Sequence, residues 1–206
     1  MFLISFLFCL MSIFHTRIQV DAQVNCSQYT NTITPSSTVS VSYVSTNMTI
    51  SMQLKTSKQA WIALGRSKGG KMSGSEAVIG LPSAGTAGYY VLDGYSSSNV
   101  NPSSAVTLSD SSITQSSSDG TTILKFTQKL SEGRFPLSST SSATFIYAIG
   151  CNNNWGNTHC SEGSFTVKLS PCGTNSTSSS TSSHSSLVNL KLFSLTLVTL
   201  WSLLSF

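Results

Sequence analysis

Charged side chains are scarce in this chain of 206 residues: 9% are Asp, Glu, Lys or Arg, and the formal net charge is +4. Such a small, dispersed basic excess predicts no nucleic-acid partner, because nucleic-acid-binding domains concentrate Lys and Arg on one surface. The few carboxylates form no close pair along the chain. Away from the two termini the serines have one histidine, His159, to act with, so the sequence does not favour a hydrolase.

A helical hydrophobic period is also missing from the body of the chain. Apolar and polar residues instead alternate, as in residues 39–44 (VSVSYV) and 48–54 (MTISMQL), and a period of two is typical of half-buried strands. Met48 and Met52 fall in this pattern and are predicted to pack in the core. Many short strands separated by turn residues predict an all-β fold, an antiparallel β-sandwich. Further strands are predicted at residues 60–64, 77–81, 89–92, 122–126, 145–149 and 165–169.

The amino-terminal segment is predicted to be a secretory signal. Residues 2–14 are almost wholly apolar, and residues 20–22 (VDA) supply small side chains at the expected cleavage spacing. The predicted signal therefore covers residues 1–22, and the mature domain is predicted over residues 23–173. An uncleaved signal anchor is disfavoured because the apolar run is shorter than the roughly 20 residues that a membrane-spanning helix needs.

The carboxyl-terminal segment has the pattern of a glycolipid-attachment signal. Residues 174–186 are mostly Ser and Thr, and residues 187–206 form an apolar tail interrupted by Lys191. Small residues, a polar spacer and a terminal apolar tail predict that the tail is removed and replaced by a GPI anchor. The predicted location is the extracellular face of the plasma membrane, with a carboxyl-terminal transmembrane anchor as the alternative. Three positions are candidates for the attachment: Asn175, Ser176 and Ser178.

Four cysteines remain once Cys9 is removed with the signal, an even number that suits disulfides in an oxidising compartment. Four cysteines allow three pairings. We favour Cys26–Cys172, which would join the two ends of the domain, and Cys151–Cys160, which would close a short loop. A zinc site is the competing interpretation, but no Cys-x-x-Cys pair is present. N-glycosylation sequons begin at Asn25, Asn47 and Asn175, and we predict glycosylation at Asn25 and Asn47.

Two loop residues are the candidate metal ligands. Met72 lies in the glycine-rich segment 69–74 (GGKMSG), directly after an apolar strand, and His159 lies in a predicted polar turn beside Cys160. A thioether and an imidazole are the pair that holds both axial positions of the iron in some haem proteins. A copper site is the competing metal interpretation, although a single histidine supplies few ligands for copper. Two unrelated loop residues, one a partial core residue and one solvated, are the other interpretation.

The segment after residue 60 carries a family resemblance. Residues 61–65 (WIALG) and 71–80 (KMSGSEAVIG) resemble the DOMON domain, whose hallmark is a Trp-bearing strand, a glycine loop with Met, and a small-residue turn into an apolar strand. Residues 145–150 (FIYAIG), 155–159 (WGNTH) and the strand at 165–169 extend the match. Together these segments cover nearly all of the chain between residues 30 and 170.

This resemblance implies an immunoglobulin-like β-sandwich that binds haem b or, in other members, sugars. The haem-binding branch uses one Met after the Trp-bearing strand and one His near the last strands, and Met72 and His159 occupy those positions here. Signal, single domain and GPI tail together also look like the plant single-domain DOMON cytochromes. Apolar side chains available to enclose the porphyrin are Trp61, Ile62, Ile79, Tyr90, Phe145 and Tyr147, and the cations available to its propionates are Arg66, Lys68 and Lys71.

With both axial positions closed, such an iron passes single electrons and does not catalyse a reaction by itself. The resemblance implies a redox protein or a small carrier such as quinone or ascorbate as the partner. Two other functions stay open at this point. One is a haem-free DOMON module that binds carbohydrate or another extracellular ligand in the same cleft, and the other is an adhesive, glycosylated surface domain. The three cations near Met72 are equally well explained as solvated loop charges.

Overall fold

The computed structural model describes Cys26, residues 29–156 and residues 159–173. Among these residues, no helix combines the length and the hydropathy needed to cross a membrane. Several predicted features lie outside this part of the chain: the signal at 1–22, the spacer at 174–186, the tail at 187–206, the sequons at Asn25 and Asn175, and the candidate attachment positions Asn175, Ser176 and Ser178.

Eleven strands and one short 3-10 helix, Ser97–Asn99, make up the described fold. Several strands show the burial pattern expected of a period of two; in β3 every second side chain is buried, from Ile50 to Thr56. The strands are β1 (Asn31–Ser36), β2 (Val39–Ser45), β3 (Thr49–Thr56), β4 (Ile62–Arg66), β5 (Ser75–Leu81), β6 (Thr86–Leu92), β7 (Val100–Pro102), β8 (Ser109–Gln115), β9 (Thr122–Lys129), β10 (Ser142–Gly150) and β11 (His159–Lys168).

The strands form two antiparallel sheets packed as a sandwich, which confirms the predicted fold class. One sheet has five strands in the order β1-β2-β3-β9-β8, and the other has six in the order β11-β10-β4-β5-β6-β7. The main core lies between the sheets, and its largest fully buried side chains include Phe145, Met52 and Leu124. A second apolar cluster is separate from this core and has Trp61 and Ile79 among its buried members.

Side-chain alternation places this second cluster on the outer face of the six-stranded sheet. Ile62 and Leu64 of β4 belong to the main core, whereas Trp61 and Ala63 belong to the second cluster. Successive side chains of a strand point to opposite faces of its sheet. The outer face of a sheet in a sandwich is normally polar, so an apolar outer face indicates a surface that another group covers.

All eight predicted strands are present, but β1, β7 and β8 were not predicted. In these three strands, residues such as Asn31 and Ser111 are exposed, and the first four residues of β8 are all exposed. Met52 is fully buried as predicted, whereas Met48 is 71% exposed, so its prediction as a core residue is wrong. Met48 lies in the turn between β2 and β3, one residue before β3 begins. The predicted turn at His159 is also wrong, because β11 begins at that residue.

Two disulfides join the cysteines in the favoured pairing. Cys26 pairs with Cys172 across 146 residues, and Cys151 pairs with Cys160 across 9 residues. The first joins the beginning of the sandwich to its end. The second closes the loop between β10 and β11, on which Trp155 lies.

A buried polar network inside the sandwich holds the loop that follows β9. Nη2 of Arg66 lies 2.5 Å from Oε1 of Glu76, and the two side chains are 3% and 1% exposed. The same guanidinium donates hydrogen bonds to the carbonyl oxygens of Phe135 (3.0 Å) and Glu132 (2.6 Å). The hydroxyl of Tyr89 donates to Glu76, and burial together with this hydrogen bond raises the pKa of Tyr89.

Candidate cofactor-binding cleft

A cleft of about 530 Å³ opens on the outer face of the six-stranded sheet. Side chains of three neighbouring strands form its floor. Ala63 of β4 pairs with Ala148 of β10 on one side and with Ile79 of β5 on the other, and the two alanines are small. Ala77 lies one row away, opposite Gly65. A Cβ atom at Gly65 would lie 2.0 Å from a backbone oxygen of β5, so this position requires glycine. The small residues leave a hollow in the middle of the sheet.

Aromatic rings form one wall of the cleft. The indole of Trp155 packs edge-on against that of Trp61, with centroids 5.1 Å apart, and the ring of Tyr90 lies 6.3 Å from Trp155. Trp155 and Tyr95 line the cleft although they are 39% and 73% exposed. Large aromatic rings left open to solvent beside an apolar floor are typical of a binding surface.

Trp61 is the buried member of this aromatic wall and packs directly against the sheet. It is 5% exposed, and a Cβ atom at Gly150 would lie 2.3 Å from its Nε1 atom. Gly150 therefore makes room for the indole, and its amide donates to the carbonyl oxygen of Trp61 at 2.8 Å. Within the described part of the chain, Nε1 of Trp61 has no hydrogen-bond partner. A buried indole N–H without an acceptor is uncommon in a native fold.

Met72 reaches the cleft from the loop between β4 and β5. Its side chain is partly buried and packs against the apolar cluster of the outer face. The loop turns through Gly70 and Gly74, whose φ angles are 71° and 80°. Such angles favour glycine because a Cβ atom clashes with the backbone in this region. The glycine-rich sequence thus serves to turn the chain back so that Met72 lies over the sheet.

His159 reaches the same cleft from the start of β11. The pairing of β10 with β11 shifts between Ile149 and Gly150, so that Gly150 pairs with His159 while Ile149 pairs with Ser161. This bulge reorients the side chain at the strand end. The imidazole is 30% exposed, and its Nε2 atom contacts the carboxylate of Glu162, which also lines the cleft. An imidazole has two ring nitrogens, so this contact uses one and leaves the other for a second partner.

The structure brings most of the predicted site residues together. Met72 and His159 both line the cleft, although 86 positions separate them along the chain. Trp61, Ile79 and Lys71 line it as well. Tyr147 borders the cleft, but its side chain belongs to the main core, as does that of Phe145. The ring of Tyr90 packs near that of Trp155.

Four predicted residues do not reach the cleft. Ile62 and Phe145 are at most 1% exposed and belong to the main core, on the other face of the sheet. Arg66 follows the same alternation and is held inside the sandwich by Glu76, so it is not available to a propionate in the cleft. Lys68 is exposed and is not part of the cleft lining.

Sequence reasoning missed the roles of several cleft residues. Trp155 was noted only as part of a motif, and Tyr95 and Glu162 were given no role in the site. The alternation of β4 could have found Ala63, because it shares the face of Trp61. Tyr95 lies in an irregular segment after β6, where no period in the sequence indicates its direction.

The DOMON domain family model matches residues 34–150, which is more than half of the chain. The chain belongs to the DOMON family. This confirms the resemblance carried by the Trp61 strand and the Met72 loop. No curated protein sequence matches the chain.

Two solved structures are similar to this DOMON chain in fold. The cytochrome b domain of pyranose dehydrogenase from Coprinopsis cinerea is 15% identical, with a TM-score of 0.47, and the match covers 63% of this chain and 76% of that one. The cytochrome domain of cellobiose dehydrogenase from Myriococcum thermophilum is 13% identical, with a TM-score of 0.42, and the match covers 64% of this chain and 74% of that one.

The donors, the volume and the apolar lining of the cleft are compatible with a haem group. The described residues contain no cluster of three or more His, Cys, Asp and Glu side chains that could hold a metal ion. Met72 and His159 instead supply two donors, which suits a cofactor that brings its own ring-nitrogen ligands. A volume of about 530 Å³ falls within the roughly 300–1,000 Å³ of pockets that hold small molecules. The apolar floor suits a porphyrin face, and Lys71 at the margin suits a propionate.

Proposed function

We propose that this DOMON protein binds haem b and relays single electrons at the cell surface. The observation that carries the proposal is the convergence of Met72 and His159 on one apolar cleft, Met72 from the loop between β4 and β5 and His159 from the first residue of β11. Neither residue is needed to fill the core between the sheets, since both lie on the outer face. The cleft is otherwise lined mainly by small aliphatic and aromatic side chains, which suit the faces and edges of a porphyrin.

The chemistry that haem would supply when bound is reversible one-electron transfer. The residues of the chain have other roles in this proposal. Met72 and His159 would hold the group, with a thioether and an imidazole as its two donors from the protein. Trp61, Trp155 and Ile79 exclude water, which lowers the local dielectric constant and strengthens each electrostatic contact. The protein is then an electron carrier that serves a redox system and is not itself an enzyme.

The cellular context of the proposal comes from the sequence. The signal at 1–22 and the apolar tail at 187–206 support a GPI-anchored protein on the outer face of the plasma membrane, with a transmembrane anchor as the alternative. Asn47 is exposed in the turn between β2 and β3, which is accessible to glycosylation. We propose a redox protein, or a small carrier such as quinone or ascorbate, as the partner.

Visible absorption spectra test the haem proposal. The purified ectodomain is supplied with haem, reduced and reoxidised, and we expect a sharp low-spin spectrum that changes reversibly. Met72→Ala and His159→Ala should each abolish that spectrum, whereas Met48→Ala, which alters an exposed methionine in a distant turn, should retain it. A correctly disulfide-bonded ectodomain that takes up no haem contradicts the proposal. Release of the protein from cells by a phosphatidylinositol-specific phospholipase tests the anchor separately.

The exposed rings of Trp155 and Tyr95 favour a second candidate, a haem-free module that binds carbohydrate. Aromatic rings at the rim of a cleft present apolar faces that can stack on a sugar ring. Calorimetric titration of the ectodomain with soluble oligosaccharides distinguishes the two functions. Saturable binding that is lost in Trp155→Ala, in a protein that takes up no haem, supports the second candidate. Absence of binding to every oligosaccharide excludes those ligands.

A further inference from the structure

Ser67 organises the loop that carries Met72. Its side chain is buried, with 7% exposed, and its Oγ atom accepts hydrogen bonds from the amides of Gly69 (3.3 Å) and Lys71 (3.1 Å). The same hydroxyl donates to the carbonyl oxygen of Lys71 at 3.0 Å. One side chain therefore satisfies three backbone groups in the four residues that follow it, and the last of them directly precedes Met72.

A second buried hydroxyl closes the loop from its other end. The Oγ atom of Ser75, which is 2% exposed, donates to the carbonyl oxygen of Lys71 at 2.5 Å. The amide of Ser75 donates to the carbonyl oxygen of Met72 at 3.0 Å, and the amide of Gly74 donates to that of Leu92 at 2.7 Å. Met72 is thus held between two serines at the ends of β4 and β5.

Fixing this backbone matters because the methionine side chain is itself flexible. A thioether on an unbranched side chain adopts many positions, and a ligand from a mobile loop loses conformational freedom when it binds. Loop preorganisation removes part of that cost before the ligand is engaged. We propose that Ser67 is a positioning residue for the Met72 ligand, an inference that rests on the proposed haem function.

The sheet does not depend on the Ser67 hydroxyl. The amide of Ser67 donates to the carbonyl oxygen of Thr144 at 3.0 Å, and this bond survives removal of Oγ. The strands on either side, β4 and β5, pair with each other through residues Ile62–Arg66 and Glu76–Gly80. Ser67→Ala should therefore release the loop while leaving the sandwich folded.

Carbon monoxide binding to the reduced, haem-loaded ectodomain tests the proposal, because this ligand needs an open axial position. We expect the affinity of Ser67→Ala for carbon monoxide to be about tenfold higher than that of the wild type. Losing a buried hydrogen bond changes an equilibrium constant by a factor on the order of ten. Ser67→Thr, which retains the hydroxyl, should behave as the wild type. Ser73→Ala, which alters an exposed serine of the same loop, is the matched control.

Three results overturn the inference: equal carbon monoxide binding in Ser67→Ala and wild type, an equal increase in Ser73→Ala, or failure of Ser67→Thr to restore the wild-type value. If Ser67→Ala does not fold, the inference is tested by amide hydrogen exchange in the wild-type protein. The Lys71 amide should then exchange at least about tenfold more slowly than that of Ser73, because it donates to a buried hydroxyl, and equal rates overturn the inference. A wild-type ectodomain without haem defeats the proposed function instead, and exchange still reports on the loop.

Discussion

Trp155 packs against Trp61 with the two ring planes at 78° and their centroids 5.1 Å apart. One indole is buried on the sheet, and the other stands in a disulfide-closed loop and is 39% exposed. Edge-to-face packing of this kind contributes about 0.5–1.5 kcal/mol beyond the burial of apolar area. The contact therefore fixes one wall of the cleft without contributing to the core between the sheets.

Replacing Trp155 should weaken ligand retention more than it weakens the fold. We expect Trp155→Ala to increase the haem dissociation rate by about tenfold, since losing one edge-to-face contact and its apolar cover removes on the order of 1.4 kcal/mol. Haem transfer to an acceptor protein measures that rate, and thermal unfolding of the haem-free protein should change little. Tyr95→Ala, which removes another exposed ring of the cleft, is the control for general loss of aromatic surface. Equal rates in wild type and Trp155→Ala would contradict the role of this wall.

The two disulfides should differ in their effect on stability because they close loops of different length. Replacing Cys26 and Cys172 with Ala opens a loop of 146 residues, and replacing Cys151 and Cys160 opens one of 9. Loop-closure entropy predicts a loss of about 4–5 kcal/mol for the first and about 2–3 kcal/mol for the second. Denaturant unfolding of the ectodomain measures both. The opposite ranking would show that strain or residual structure outweighs chain entropy here.

The network of Arg66 and Glu76 should behave as a buried ion pair. Removing one partner, as in Arg66→Met or Glu76→Met, leaves the other buried with its partner missing, at a cost of about 3–5 kcal/mol. The double variant Arg66→Met/Glu76→Met should lose less than the sum of the two single losses, because it leaves no unpaired charge. Chemical denaturation of the four proteins in this cycle measures the coupling. Additive losses would show that the two side chains act independently.

Stability should fall in strongly alkaline solution because of Tyr89. Burial and the hydrogen bond to Glu76 raise the folded-state pKa of this phenol above its usual value of 10.0, while the unfolded chain keeps the usual value. Above pH 10 the unfolded state therefore releases a proton that the folded state retains, and stability decreases as pH rises. Burial also raises the pKa of Tyr29 and Tyr43, which adds to the same slope.

Tyr89→Phe should flatten this dependence. The free energy of unfolding is measured from pH 8 to pH 11, and the variant is expected to lose less stability across that range than the wild type. Tyr95→Phe alters a tyrosine that is 73% exposed and should leave the slope unchanged. A variant slope as steep as that of the wild type would assign the alkaline loss to other groups.

The predicted strands are those in which the alternation of apolar and polar residues matches the alternation of buried and exposed side chains. In β3 the apolar positions of the sequence are the buried positions of the structure, because one face of the strand meets the core. β8 has the sequence SDSSITQ, in which Ile113 is the single apolar residue; this side chain packs partly buried against the core, and the strand pairs with β9. Such edge strands carry no period, so the sequence alone does not indicate them.

The sequence indicated the two candidate ligands but not the residues that form the walls of the cleft. Family resemblance indicated Met72 and His159, and the structure places both in one cleft. Ile62 and Arg66 were assigned to the wrong face of β4, although alternation from Trp61 would have placed them inside. Trp155 lies in the loop that the Cys151–Cys160 disulfide closes, and neither its direction nor that of Tyr95 follows from local sequence.

The small side chains of the cleft floor provide a steric test of what the cleft holds. Ala148 is partly exposed on the outer face of β10, and its neighbour across the sheet is Ala63. In Ala148→Phe the added ring has no room in the core and must extend into the cleft, where it occupies the space proposed for the porphyrin. We expect haem uptake to be lost while the free energy of unfolding of the haem-free protein changes by less than about 1 kcal/mol.

Ser112→Phe is the matched control for this substitution. Ser112 is exposed on β8 of the five-stranded sheet, so the same ring is added to a surface that is not part of the cleft. Haem titration followed by visible absorption should give wild-type uptake for Ser112→Phe and none for Ala148→Phe. Full uptake by Ala148→Phe would place the cofactor elsewhere, because an aromatic ring and a porphyrin cannot share the same floor at van der Waals distance.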